Sequence, residues 1–122
     1  MLIADDHVIV RQRLKLLLQE AFLVIHITEV GDTTSLLHEA ETNDWDIIIS
    51  DLAMPGGGGL LALQKLKQLK PYIPVLIVST YPEEQYAKRV SAAGAAAFLN
   101  KNNADRELVV LVQQILGETS PK

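Results

Sequence analysis

Trp45-Asp46-Ile47-Ile48-Ile49-Ser50-Asp51 sets three consecutive isoleucines between polar residues, with an aspartate standing where the run ends. A strand with one face in water alternates apolar and polar residues, whereas this run offers a branched apolar side chain to both faces. Asp46 to Ser50 therefore reads as a central strand of a parallel sheet, covered on both sides. Asp51 falls just beyond its carboxyl end, opening a loop that reaches Gly59.

Upstream, Leu2-Ile3-Ala4 gives a short first strand, and Val8 to Ala21 a helix with Val10, Leu14, Leu17, Leu18 and Ala21 on one face. Leu23 to Val30 reads as a second strand, Gly31 and Asp32 as a turn, and Leu36, Leu37 and Ala40 as the inner face of a second helix. Downstream, a helix over Leu60 to Leu69 leads through Pro71 and Pro74 into the strand Val75 to Val78. A helix over Pro82 to Ala92 is closed by Gly94, and Ala95 to Leu99 forms a fifth strand. The last helix carries Leu108, Leu111, Val112, Ile115 and Leu116 at i, i+3, i+4, i+7 and i+8, and Gly117 is expected to stop it. Residues 1–117 then form the domain, and 118–122 begin a linker. Five strands and five helices in strict alternation predict an α/β fold, a doubly wound parallel sheet with helices on both faces. In that architecture ligands collect beyond the carboxyl ends of the strands.

The 122 residues fit one domain, and the 48% that are hydrophobic suffice for its core. With no cysteine, disulfides and thiolate metal sites are excluded. No apolar run is long enough to span a bilayer and the N-terminus lacks a basic-then-apolar order, so a soluble, cytoplasmic protein is expected. Eleven basic residues against fifteen acidic ones give a net charge of −4, the wrong sign for a domain that grips phosphate backbones by itself.

The strand ends carry the chemistry. Asp5 and Asp6 follow strand one, Asp51 strand three, Ser79 and Thr80 end strand four, and Lys101 follows strand five. Singly, such residues cap helices and form turns. Together on one rim, three carboxylates repel one another and raise each other's pKa unless a cation lies between them. Hard oxygen ligands beside an open position favour magnesium, which keeps waters and also takes phosphate oxygens.

This set, with Met54-Pro55 and Gly59 behind Asp51 and Phe98 three residues before Lys101, resembles the receiver domains of two-component response regulators along essentially the whole chain. Ile3-Ala4-Asp5-Asp6-His7, with Arg11 and Leu14 beyond, further resembles the subclass whose output is a helix-turn-helix DNA-binding domain. The resemblance implies a flavodoxin-like sheet of strand order 2-1-3-4-5. It makes Asp51 the acceptor of a phosphoryl group from a sensor histidine kinase, a phosphotransfer protein or a small acyl phosphate. Asp6 and Asp51 would hold Mg2+ directly, Asp5 through water, and the Ala53 backbone carbonyl would complete the set. Lys101 and Ser79 would contact phosphoryl oxygens, and Phe98 would be the aromatic whose rotamer reports the state. The chain would assist its own phosphorylation and slow dephosphorylation without being an enzyme, would dimerise when phosphorylated, and would regulate transcription through an output domain.

Departures from the family pattern are a short strand one, Gly57 and Gly58 in place of larger side chains, Thr80 for alanine or glycine, Phe98 for tyrosine, and Asn102 where proline is common. The two loop glycines are expected to make that loop mobile. None of these changes removes a chemical group from the acceptor site.

Other signals are weaker. Gly57-Gly58-Gly59-Leu60-Leu61-Ala62 fits a relaxed dinucleotide pattern, but it follows the third strand and no acidic residue ends the next one. Aspartate-nucleophile phosphatases need a second aspartate two residues beyond the first, where Ala53 stands. His7, His26 and His38 read as surface or boundary residues, Lys65, Lys67 and Lys70 as a solvated helix face, and Trp45 as packing beside strand three.

Overall fold

The computed structural model describes residues 1–23, 26–54 and 58–119. The predicted alternation holds: β1 Leu2–Ala4, α1 Val8–Ala21, β2 Thr28–Val30, α2 Thr33–Thr42, β3 Ile48–Asp51, α3 Gly59–Leu69, β4 Val75–Ser79, α4 Glu83–Ala92, β5 Ala97–Asn100 and α5 Ala104–Thr119. A 3-10 turn at Lys101–Asn103 joins β5 to α5. All strand pairings are parallel and the sheet order is β2-β1-β3-β4-β5.

Strand period 2 divides the core into two layers. Leu2, Ala4, Ile48, Val75 and Ile77 face Leu36, Ala40, Ala62, Leu63, Leu66 and Val90 of α2, α3 and α4. Ile3, Ile47, Ile49, Leu76, Val78 and Leu99 face Leu14, Leu18, Leu108, Val112 and Ile115 of α1 and α5. The three isoleucines thus serve both layers, as a doubly covered central strand requires.

The boundaries differ from expectation in places. The second strand was expected from Leu23, but the strand is Thr28–Val30 and Leu23 is fully exposed; Val24 and Ile25 lie outside the described residues, as do Pro55, Gly56, Gly57 and 120–122. On α1, Ala21 is exposed, and Phe22 at the C-cap packs on the core in its stead. Gly117 does not stop α5, which runs on to Thr119. A glycine in a last turn costs about 1 kcal/mol relative to alanine without breaking the helical ladder.

Gly94 does close α4. Its φ of 104° is left-handed, its N–H donates to the Ser91 carbonyl (3.0 Å), and the Ala95 N–H donates to the Val90 carbonyl (2.9 Å). This pair of bonds is the Schellman closure. Gly59 answers a different need: its N–H donates to the Leu52 carbonyl at 2.7 Å, and a Cβ there would lie 2.2 Å from that oxygen. Only glycine lets α3 start so close to the strand that bears Asp51.

Candidate functional site

Strand register sets the site. Ala4 pairs with Ser50 and Val30, so Asp5 emerges beside Asp51 at the carboxyl rim. Asp51 pairs with Val78 and Ser79 with Asn100, so the Ser79 hydroxyl stands one residue beyond the level of Asp51 on the neighbouring strand. Lys101 opens the 3-10 turn after β5.

The Lys101 ammonium spans the two buried acids, with Nζ 2.8 Å from Asp5 Oδ2 and 3.2 Å from Asp51 Oδ2. Asp5 is completely buried and its Oδ2 meets the ammonium as a charge contact without an aligned hydrogen bond. Asp5 Oδ1 accepts the His7 N–H at 2.9 Å, and Asp51 Oδ1 accepts the Ala53 N–H at 3.3 Å. Asp6 remains partly open to solvent.

One cation cannot balance this group. Burial pushes the Asp51 carboxyl above its ordinary value; Lys101 opposes the rise and Asp5 adds to it. Burial alone would lower the Lys101 ammonium, yet its contacts with Asp5 and Asp51 outweigh burial and hold it above its ordinary value. Carboxylate oxygens of Asp5, Asp6 and Asp51 and a ring nitrogen of His7 lie within 4.8 Å of one another. A cluster of oxygen donors with a negative surplus and one side open to water fits a hard divalent cation that retains waters.

His7 is exposed, as a surface or boundary reading expects, and the structure adds that it stands against the acidic pair. Its Nδ1 lies 3.1 Å from Asp5 Oδ1 and 3.1 Å from Asp6 Oδ1. Adjacency to the acidic pair was the only signal in the sequence. Ser79 is buried and its Oγ accepts the Tyr81 N–H at 2.9 Å. The Tyr81 ring in turn lies 5.0 Å from that of Tyr86, over which the Arg89 guanidinium sits at 5.8 Å. Phe98 lies below the rim, paired with Ile77 and packed on the core layer of α2, α3 and α4.

Two further expectations divide. Trp45 packs beside strand three as expected, its Nε1–H donating to the Glu39 carbonyl at 2.9 Å. The α3 lysines are not one solvated face: Lys65 is exposed, but Lys67 donates to the Ile73 carbonyl at 2.7 Å and Lys70 to the Asn43 carbonyl at 2.7 Å. Their aliphatic stems let each ammonium reach a carbonyl beyond the end of the helix.

Comparison with known proteins agrees with this geometry. The family model described as the response regulator receiver domain matches residues 1–113. The chain is 33% identical over 117 residues to the glycerol metabolism activator of Pseudomonas putida, covering 95% of this chain and 53% of that protein. It is 32% identical over 116 residues to the Fimbriae Z protein of Escherichia coli, covering 95% and 55%. The chain thus spans about half the length of these relatives. Among solved structures, the receiver domain of Francisella response regulator 1452 superposes with a TM-score of 0.89 at 27% identity, covering 98% of this chain and 97% of that one. A LuxR-family two-component response regulator from Aurantimonas sp. superposes with a TM-score of 0.88 at 26% identity, covering 96% and 84%. Receiver domains of this family bind Mg2+ at an acidic pocket, and the aspartates clustered here have the donor chemistry for it. Fold, rim and match together make this chain a member of the response regulator receiver domain family of two-component signalling.

Proposed function

We propose that Asp51 is the phosphoacceptor and that a sensor histidine kinase or phosphotransfer protein supplies the group. The observation that carries this reading is the Lys101 ammonium lodged between two buried carboxylates, Asp5 at 2.8 Å and Asp51 at 3.2 Å. An Asp51 carboxylate oxygen forms the new P–O bond as the P–N bond of a phosphohistidine breaks, and the departing imidazole nitrogen keeps the electron pair and takes up a proton. Lys101 neutralises charge on the transferring group, and Ser79, released from the Tyr81 N–H, donates to one of its oxygens. Asp5, Asp6, Asp51 and the Ala53 backbone carbonyl would hold Mg2+. When bound, the ion supplies charge neutralisation for the phosphoryl oxygens. The chain assists its own phosphorylation and slow dephosphorylation in this way, with no turnover of a separate substrate.

The acyl phosphate favours one of two states of α4, β5 and α5, with Ser79 and Lys101 drawn toward the new charge and Phe98 filling the space vacated. Dimerisation through that surface, or through α1 and α5 where Leu16 and Val110 are exposed, follows from the shift. The receiver unit extends through α5 to Thr119, and the segment beyond leads toward an output domain, a helix-turn-helix that binds DNA where this acidic domain does not. Among the described residues no helix is long and apolar enough to cross a membrane, in keeping with a cytoplasmic regulator.

Intact-mass measurement after incubation with acetyl phosphate and Mg2+ tests the acceptor. One phosphoryl adduct is expected in the wild type and none in Asp51→Asn. An adduct that persists in Asp51→Asn refutes the assignment.

A further inference from the structure

Arg11 does no work in the scheme above, yet it is more deeply engaged than any other α1 side chain near the pocket. It is the fourth residue of α1, about one turn in, with only 17% of its side chain exposed. Its NH1 donates to the backbone carbonyl of Asp5 at 2.6 Å, and its Nε donates to Glu29 Oε1 on β2 at 3.4 Å. Lys15 meets the other oxygen of Glu29 at 3.5 Å. Gly31, just after β2, leaves room for this guanidinium: a Cβ there would lie 3.1 Å from Arg11 NH1.

The Asp5 carbonyl is the first beyond the last pairing of β1, where the chain leaves the sheet to enter α1. The N–H of the same residue donates to the Val30 carbonyl at 3.1 Å, so both backbone groups of Asp5 are tied, one to β2 directly and one to Arg11. A guanidinium presents several N–H donors in a rigid plane and can hold two acceptors in a fixed relation, which an ammonium on a flexible stem does less well. The bond to the carbonyl is charge-assisted and largely shielded from water, which strengthens it.

We propose that Arg11 is a positioning residue of the acidic pocket: its bond to the Asp5 carbonyl fixes the turn that presents the Asp5 and Asp6 carboxylates. The proposal rests on the reading of those carboxylates as the Mg2+ site. Groups that orient metal ligands through one intervening contact cost about 10–100-fold in metal affinity when removed, and Arg11→Gln should weaken Mg2+ binding by about 10-fold on that scale. A merely structural role, holding α1 against β2, would lower the melting temperature without changing that affinity.

The test measures Mg2+ binding by calorimetry, and amide exchange at Asp5 and His7 in metal-free protein, on the wild type, Arg11→Gln, Arg11→Lys, Glu29→Gln and Gly31→Ala. Arg11→Gln is expected to bind Mg2+ more weakly and to exchange faster at both amides, with Arg11→Lys between it and the wild type. Glu29→Gln breaks the ion pair but spares the carbonyl bond, so its affinity should stay within about twofold of the wild type, well inside the range expected for a lost orienting contact. Gly31→Ala crowds NH1 without touching its charge and should shift both readouts in the same direction as Arg11→Gln; it decides the matter if Arg11→Gln does not fold. Unchanged affinity and exchange in folded Arg11→Gln or in Gly31→Ala, or an equal loss in Glu29→Gln, would overturn the proposal. A wild type that binds no Mg2+ would instead refute the reading of the pocket, and the exchange rates would still decide whether Arg11 fixes the turn.

Discussion

Replacing Asp51 by asparagine should make the metal-free protein more stable at neutral pH. The Lys101 ammonium at 3.2 Å attracts the Asp51 carboxylate by about 5 kcal/mol at an effective dielectric of about 20. Asp5 and Asp6, with oxygens within 4.8 Å, each repel it by about 3.5 kcal/mol on the same footing, and solvent screening trims the share of the more open Asp6. Burial adds a further cost to the charged form, so repulsion and desolvation together exceed the pull of Lys101. This is why the folded state holds the Asp51 carboxyl above its ordinary value. A net gain of about 1–2 kcal/mol on neutralisation corresponds to a melting temperature higher by about 4–8 °C for a domain of this size. Because the folded pKa is raised, the wild type is least penalised below the unfolded carboxylate pKa and loses stability as pH rises through the folded one. The advantage of the variant should therefore be present at pH 7 and vanish toward acid. Thermal melts by circular dichroism in EDTA at low salt read both trends. Excess Mg2+ should close the gap, since a ligand at a hundred times its dissociation constant stabilises the wild type by about 2.7 kcal/mol. A variant that melts at or below the wild type in EDTA at pH 7 refutes the reasoning and makes Lys101 the dominant partner.

Lys101→Met leaves Asp5 and Asp51 buried without a cation, and an equilibrium denaturation curve should show a loss of about 3–5 kcal/mol at pH 7, smaller in acid. Gly59→Ala forces a methyl against the Leu52 carbonyl and should cost about 1–3 kcal/mol in the same assay, with slower phosphorylation because Leu52 adjoins Asp51. Loss of the phosphoryl group should be slow, because half-buried Ala53 offers no base and the Tyr81 ring leans on Tyr86. Decay followed by mass spectrometry should accelerate in Ala53→Asn with Tyr81→Glu, and equal or slower decay in that double variant counts against the account.

The fold was legible because its signals are local. Three isoleucines in a row need apolar cover on both faces whatever their neighbours, and the alternating helical periods left one way to provide it. Element ends were less legible because they depend on geometry that composition does not encode. Gly94 and Gly117 look alike in sequence, yet Gly94 adopts a left-handed φ and collects two closing hydrogen bonds, while Gly117 is one more residue of α5. Leu23 looked like the start of a strand, but a strand needs a partner in register, and among the described residues β1 pairs with Thr28 to Val30 while Leu23 stands exposed.

The candidate site divides on the same physical line. Asp5, Asp6, Asp51, Ser79 and Lys101 could be found because each follows a strand, and a parallel sheet delivers every such position to one rim. His7 and Tyr81 sit on the same rim, but each takes its role from a turn: the His7 N–H closes back on Asp5 and the Tyr81 N–H on Ser79. Arg11 and Glu29 lie 18 residues apart and meet only because β1 and β2 pair in this register. What sequence reasoning reached were the charged and hydroxyl side chains of the candidate site. The groups that hold those charges in place act through backbone amides and carbonyls, which every residue possesses and no motif can mark.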